Sequence, residues 1–363
     1  MKILYAIQAT GNGHLSRARD IIPILQKKGD VDILVSGIQA DVELPFEITY
    51  RFKGLSFIFG KKGGVDLLET YKKSRLKRLI AEIRSLPVEN YNIVISDFEP
   101  VSSWACYFKN KKCISLSHQA GVVHKASPQP KHTDLLGRAI LRYYAPATFR
   151  YGFHLKPYAD RIFTPVIRKQ IREIIPTNEG HYTVYLPAYS DQKIAKILNR
   201  CKGIKWEVFS KRIEKPYTIR DIHFFPINNE AFIRSMASSA GVLCGAGFET
   251  PAEALYLGKK LMVIPMKHQY EQHCNAAALK EMGVPVLKKL KLKRLELIIS
   301  WVCSSATIAV DYPDITEQII DQVLSNHQEE IQKAAFDRAD LSTKTFRSLT
   351  LRKILARLAG QYR

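Results

Sequence analysis

The sequence predicts an α/β protein of two domains, each a parallel sheet covered by helices, facing each other across a cleft. Three observations predict it. Short apolar runs alternate with segments of helical periodicity, as in "KILYAIQA", "SRARDIIPILQKKG" and "VDILVSG", which is the rhythm of βαβ units. That rhythm lapses over an aromatic and proline-rich stretch and restarts at "HYTVYLP". A chain of 363 residues, nearly half of them apolar, is long enough to give each of two domains its own core.

The first domain is placed at 1–165. In its opening helix Ile21, Ile22 and Leu25 recur at helical spacing, with Gly29 as the stop. "YNIVISDFEP", "SSWACYFKN" and "KCISLSH" repeat strand, helix and strand. The stretch from "PQPKHTD" through "YYAPATFRYGFHLKPYADRIFTP" reads as irregular. A second domain at 166–325 follows, with "HYTVYLP", "KWEVFS", "IHFFPI", "GVLCG" and "KLMVIP" as its strands. Residues 326–363 form a basic helical segment. In it Leu351, Ile354, Leu355 and Leu358 share one face, and the segment is expected to pack back on the first domain.

Composition narrows the function classes. The start, "MKILYAIQATGNGH", reads as a strand and its loop and not as a signal peptide. No apolar run reaches the roughly 20 residues of a spanning helix. Cys106, Cys113, Cys201, Cys244, Cys274 and Cys303 are scattered without a C-x-x-C pair. Neither a disulfide framework nor a zinc site is expected, and a reduced cytoplasmic setting fits. The formal net charge of +21 argues for an anionic partner: nucleic acid, an acidic membrane surface or a phosphorylated substrate.

Two glycine-bearing turns carry the chemistry. In "ATGNGHLSRARD", Gly11 and Gly13 follow the first strand and precede a helix, so backbone can approach a ligand and the helix N-terminus favours anions. The third glycine of a dinucleotide fingerprint is missing, with His14 at the bend, and the Walker pattern is absent. The positive helix end would keep His14 neutral and able to accept a proton; the alternative is a histidine that only caps the helix. Asp97 ends a later strand on the same sheet edge. It would hold the other imidazole nitrogen or, alternatively, cap the next helix. His118 and Gln119 stand at the same edge as polar groups suited to an acceptor, or as an ordinary polar loop.

The second turn is "GVLCGAGFETPAEALYLG". Gly245 and Gly247 lead to a helix started by Thr250 and Pro251, where uncapped N–H groups make a cradle for a diphosphate. Glu253 in the first turn would complement the helix dipole or grip a ribose diol. Glu271 and Gln272, side by side after the next strand, offer acceptors and donors to neighbouring sugar hydroxyls.

Gly247, Thr250, Glu253, Gly258, Pro265, Glu271, Gln272, Asn275 and Ala276 together resemble the nucleotide-sugar signature of inverting glycosyltransferases of the GT-B fold. Such enzymes are two Rossmann-like domains about a cleft, and the stretch is similar to the UDP-glycosyltransferases and the peptidoglycan UDP-GlcNAc transferase. "GNGHLSRA" is similar to the family's Gly-x-Gly-His loop. The resemblance implies His14 as base, steadied by Asp97, with Gly13 on the donor side. It makes Arg168 of "TPVIR" a phosphate contact, Ile227 and Asn228 contacts to the base, and His118 and Gln119 the acceptor side. "LPAYSD" departs from the expected glycine-rich loop, and Glu271 stands where the family carries Asp or Gln. Retaining relatives carry a second glutamate eight positions before Glu253, where this chain has Gly245, so inversion is favoured.

The resemblance thus implies a metal-independent hexosyl transfer from a nucleotide-sugar co-substrate, UDP-linked by family habit, to a hydroxyl acceptor, with no cofactor. The basic runs "GKKGG", "YKKSRLKRLIAEIR" and "LKKLKLKR" suit a peripheral protein at the inner face of an anionic membrane and a lipid-linked or cell-envelope acceptor. The alternatives are ordinary solvated faces, a nucleotide-sugar epimerase of the same fold, or a basic membrane- or nucleic-acid-binding protein without catalysis. No recognised nucleic-acid motif supports the last.

Overall fold

A computed structural model describes residues 1–37, 44–55, 76–131 and 134–329. Two sheets organise them. The first contains β1 (Lys2–Gln8), β2 (Asp30–Ser36), β3 (Tyr50–Phe52), β4 (Ile93–Asp97), β5 (Ile114–Ser117), β6 (Phe149–Phe153) and β7 (Ile162–Phe163). Their order is β3-β2-β1-β4-β5-β6-β7, and every pairing is parallel. The second contains β8 (Tyr182–Tyr185), β9 (Trp206–Ser210), β10 (Tyr217–Ile219), β11 (Ile222–Pro226), β12 (Gly241–Gly245) and β13 (Lys260–Ile264). Its order is β10-β11-β9-β8-β12-β13, with only the β10 edge antiparallel. This is the GT-B arrangement of two Rossmann-like sheets.

Strand order reverses between β1 and β4 in the first sheet and between β8 and β12 in the second. Chains leaving the carboxyl ends there diverge to opposite faces and leave a crevice, the usual ligand position in open α/β sheets. The β1–β4 register sets Ile7 beside Asp97, so the loop after β1 and the end of β4 meet at that crevice.

Among the described residues the helices of the first half are α1 (Asn12–Lys28), α2 (Leu76–Ser85), α3 (Pro100–Phe108), α4 (His118–Val122), α5 (Leu135–Tyr143) and α6 (Lys169–Arg172). Six follow: α7 (Asp191–Leu198), α8 (Asn229–Ser238), α9 (Glu249–Tyr256), α10 (Tyr270–Glu281), α11 (Leu295–Cys303) and α12 (Thr316–Ser325). Leu15, Ala18, Ile21, Ile22 and Leu25 make the buried stripe of α1, while Pro23 is exposed. Two helix starts differ from the sequence reading. α1 begins at Asn12, so His14 lies in its first turn and not in a bend. α9 begins at Glu249, one residue before Thr250, with no side-chain cap.

The stretch read as irregular holds β6 and β7. Phe149, Tyr151 and Phe153 alternate with Arg150 and Gly152 in the period of a strand, but flanking prolines and aromatics masked it. Gly152 is needed there: a Cβ on it would run into the Gly121 backbone of α4. That close approach seats α4, and with it Gln119, against the sheet.

One apolar cluster runs through both halves. It joins Ile3, Tyr5 and Ile7 of β1 to Val242 and Cys244 of β12 and to Ile319, Ile320 and Val323 of α12. Although α12 follows the second sheet in sequence, it lies on α1 of the first. Lys28 reaches Asp321 at 2.7 Å and Glu317 at 3.3 Å, and Tyr151 meets His327 at 3.1 Å. The basic tail from 330 onward, all of "GKKGG" and the first five residues of "YKKSRLKRLIAEIR" lie outside the described residues. Among the described residues no helix is long and apolar enough to cross a membrane.

Gly152→Ala is expected to lower stability by roughly 1–3 kcal/mol through forced displacement of α4. Gly11→Ala, where an added Cβ meets no atom within 4 Å, should leave the midpoint unchanged. Urea unfolding midpoints of the two variants check this.

Candidate active site

His14 projects from the first turn of α1, and its Nδ1 lies 2.9 Å from Asp97 Oδ1. Asp97 ends β4 and is fully buried. A carboxylate only accepts, so Nδ1 carries the proton in the neutral ring and Nε2 keeps its lone pair. Nε2 lies 3.4 Å from the Gln119 side-chain amide. Burial works against the imidazolium, but Asp97 outweighs it and leaves the His14 pKa above its ordinary value. For Asp97, burial favours the neutral acid, and the charges of Arg17 and His14 overcome it, holding the carboxyl below its usual range.

Asp97 is free for this because it does not cap the next helix. Glu99 does so, accepting from Val101 N at 2.7 Å and Ser102 N at 2.6 Å at the start of α3. Between the two acids Phe98 takes φ 57, a left-handed conformation that costs a non-glycine residue on the order of 1 kcal/mol. The turn re-aims the chain so that Asp97 points into the crevice and Glu99 into α3.

Sequence reasoning missed the next member. Arg17, one helical turn after His14, is 2% exposed. Its guanidinium donates to Asp97 Oδ1 at 2.8 Å and Oδ2 at 2.7 Å, and to Glu249 Oε1 at 2.6 Å. The Phe153 ring lies 5.3 Å away. Glu249, also missed, opens α9 of the second sheet, so this arginine bridges the two walls of the cleft. The available signal was position: Arg17 sits within the buried stripe of α1, whereas Arg19 two residues on does not. A Cβ on Gly13 would stand 2.7 Å from the Glu249 carboxyl carbon, so a side chain there would push that carboxylate aside.

The opposite wall is the Gly245–Gly247 turn and the uncapped N-terminus of α9. A Cβ on Gly247 would meet nothing within 4 Å, so backbone is open to a ligand there. Thr250 is half-buried in the first turn. Glu253 is 2% exposed, and both its oxygens accept from Arg168, at 2.5 and 2.8 Å. Burial pushes the Glu253 carboxyl up while Arg168 opposes it. Arg168 also donates to Asn229 at 2.9 Å. The structure therefore joins two residues expected to contact the donor separately. Asn228 caps α8 through Ala231 N at 2.9 Å, and Ile227 precedes it just beyond the end of β11.

Glu271, in the first turn of α10, accepts from Gln119 Nε2 at 3.0 Å, a second tie between the walls. Its burial raises the carboxyl pKa. Gln272 does not stand beside it. Its amide turns back to accept from Met266 N at 2.9 Å and lies under Gly245, because successive helical residues point about 100° apart. The expectation for His118 also needs correction. Its Nδ1 meets the Phe153 carbonyl at 2.9 Å and its Nε2 meets Asn275 at 2.9 Å. The ring stacks on Phe248 at 3.8 Å and is 2% exposed. Burial drives its pKa well below the ordinary value. A neutral ring has one N–H, so it donates to one of these two oxygens and only contacts the other; it bolts the sheets together with no ring atom left for an acceptor.

The family model of glycosyl transferase family 1 matches residues 1–302. Arabidopsis thaliana UGT89C1 complexed with UDP is similar in structure, with TM-score 0.56, 10% identity, and 99% of each chain covered. Spinosyn rhamnosyltransferase SpnG complexed with spinosyn aglycone gives TM-score 0.53 and 12% identity over 93% of this chain and 99% of that one. Phytolacca americana UGT2 gives 0.51 and 11% over 99% of each. A search of the curated proteins finds no match.

His118→Ala is expected to cost roughly 3 kcal/mol, from lost packing against Phe248 and loss of the hydrogen bond the neutral ring donates. Chemical denaturation measures it. An unchanged midpoint would return His118 to the acceptor side.

Proposed function

The chain belongs to glycosyltransferase family 1, and from that premise we propose that it moves a hexose from a UDP-sugar to an acceptor hydroxyl with inversion and without a metal. It is a glycosyltransferase that works on nucleotide-sugar donors. The finer reading is carried by one observation. The His14–Asp97 pair of the first sheet is joined through Arg17 to Glu249 in the first turn of α9, the helix that follows the open Gly247 turn of the second.

In this reading residues 1–165 hold the acceptor and 166–325 the donor. The acceptor oxygen attacks the anomeric carbon from the side opposite the diphosphate. The new C–O bond forms as the bond to the phosphate oxygen breaks, and the diphosphate leaves with the electron pair. The acceptor proton passes to His14 Nε2, and Asp97 stabilises the imidazolium at Nδ1. Charge on the leaving group is met by the free N–H groups around Gly247 to Thr250. Arg168 adds to this, since its pairing with Glu253 and Asn229 leaves two of its five N–H groups. Lone pairs of Glu253 not used by Arg168 would take ribose hydroxyls, with Ile227 and Asn228 near the base. Glu271 and Gln119 would contact sugar and acceptor. UDP is chosen because UGT89C1 is complexed with UDP and with UDP-L-rhamnose, and UGT2 with UDP-2fluoro-glucose.

The acceptor reading is a lipid-linked glycan met at an anionic membrane from the inner face. It is supported by the run Leu287–Arg294. Val286 pairs in parallel with Val263 of β13 and Leu290 N bonds Tyr189 at 3.2 Å, so the run emerges at the carboxyl edge of the second sheet. There Lys288, Lys289, Lys291 and Lys293 are exposed among exposed Leu292 and Leu297, a combination of cations and apolar groups that suits acidic headgroups.

His14→Ala should cut transfer by about 10²- to 10⁴-fold while thermal stabilisation by UDP-glucose persists. A panel of UDP-, GDP-, ADP- and TDP-sugars in the same thermal assay identifies the nucleotide, and stabilisation by none of them would sink the donor reading. For the membrane reading, flotation with phosphatidylserine liposomes at low salt should recover the wild type and lose the Lys289→Gln/Lys291→Gln/Lys293→Gln variant. Equal recovery of both removes the patch from the argument.

A further inference from the structure

Arg17 has no place in the proton transfer described above, yet it is held more tightly than the groups that do. We propose that Arg17 is a positioning residue that sets how firmly His14 holds a proton, and that Glu249 across the cleft adjusts this setting as the two walls meet. The inference rests on His14 being the base, and its test separates the two.

The argument is one of divided charge. Asp97 has a single negative charge to offer, and both of its oxygens accept from Arg17, one of them shared with His14. A guanidinium nitrogen stands 3.2 Å from His14 Nδ1. Since Nδ1–H already donates to Asp97, these two donors repel, and the repulsion grows when the ring becomes an imidazolium. Arg17 therefore opposes the proton that Asp97 favours. Glu249 pulls the guanidinium the other way through its 2.6 Å bond. With Glu249 seated, less of the arginine charge falls on Asp97 and the histidine is more basic. With the walls apart, Arg17 belongs to Asp97 alone and the histidine is less so. The base would reach full strength when donor and acceptor sides are together.

The remaining groups facing this cluster do not undo the argument. The Tyr5 hydroxyl, from β1, is buried and has its pKa pushed well up, so it stays neutral. His118, from α4, is held neutral by burial. Phe153 presents only its ring to the guanidinium. Glu271, from α10, reaches His14 through Gln119 and is common to every variant below. Within the low-dielectric crevice these charge effects are larger than at a surface.

The test follows the His14 ring by NMR titration of the full chain labelled with ¹³C-histidine, with His14→Gln identifying its signal. Arg17→Met should raise the His14 pKa, Glu249→Gln should lower it, and Arg17→Lys should shift it less than Arg17→Met does. A purely structural role would give no such opposite signs. An unmoved His14 in the two single variants, or shifts of the same sign, would overturn the inference. If Arg17→Met does not fold, the downward shift in Glu249→Gln alone decides. In parallel, the pH profile of UDP-glucose hydrolysis, with water as acceptor, is recorded for each variant. Shifts in the ring without matching shifts in the acid limb would uphold the role of Arg17 and remove His14 as base.

Discussion

A buried charge must be matched, and the Asp97 carboxylate is where this chain meets that constraint. Taking a carboxylate out of water costs several kcal/mol unless close partners replace the solvent. Asp97 is fully buried at the end of a central strand, and α1 supplies both partners from one helical turn, His14 and Arg17. Arg17 then carries its own obligation, since a guanidinium at 2% exposure needs more than half of one carboxylate's attention. Glu249 meets it from the other sheet. The result is a chain of charges that runs from β4 through α1 to α9 and fixes the spacing of the two cleft walls. Gly13 suits it as well, because a side chain there would push the Glu249 carboxylate aside.

The apolar packing serves the same end. The cluster that joins β1, β12 and α12 keeps the halves from acting as unrelated bodies, and α12 crosses back to α1, the helix that carries His14 and Arg17. Helix α1 is thus clamped on its apolar side by α12 and on its polar side by Asp97 and Glu249. A base that must sit within hydrogen-bond reach of a substrate hydroxyl benefits from such two-sided support, since small displacements of a reacting group are costly in rate.

How much of this the sequence displayed depended on whether a feature is local. The alternation of strands and helices is local, and the fold class followed from it. So did the positions of His14 and Asp97, because glycine turns and strand ends mark the carboxyl edge of a sheet. Of the partnerships between distant residues, His14 with Asp97 was visible through their shared sheet edge, whereas those of Arg17, Glu249 and Arg168 were not. In "LSRARD" only position separates Arg17 from Arg19, since Arg17 stands one turn before Ile21 on the face that α1 buries. Glu249 was passed over because the helix was read from Thr250, whereas the uncapped start lies at Phe248. His118 and Gln119 are adjacent and chemically alike on paper, but the close approach of Gly152 to Gly121 turns one inward and the other to the cleft. β6 was hidden by its aromatic, proline-flanked setting, which resembles a loop in composition while keeping the two-residue period of a strand.

The two arginines of the cleft differ in a way that bears on where an incoming anion would lie. Arg17 stands between two carboxylates, and its charge is already exceeded by theirs. Arg168 pairs with one, Glu253, and with the neutral Asn229, while Glu249 and Asp20 act on it from further away. A diphosphate placed beside Arg17 would join Asp97 and Glu249 and meet repulsion. Placed beside Arg168, it would make that arginine a cation shared by two anions, the arrangement that Arg17 already has. The free N–H groups of α9 lie on the same side, within the helix that carries Glu253. Charge matching and helix geometry therefore favour the same wall for the diphosphate. On the proposed reading they leave the Arg17 wall to the uncharged part of the reaction, where a hydroxyl would give up its proton.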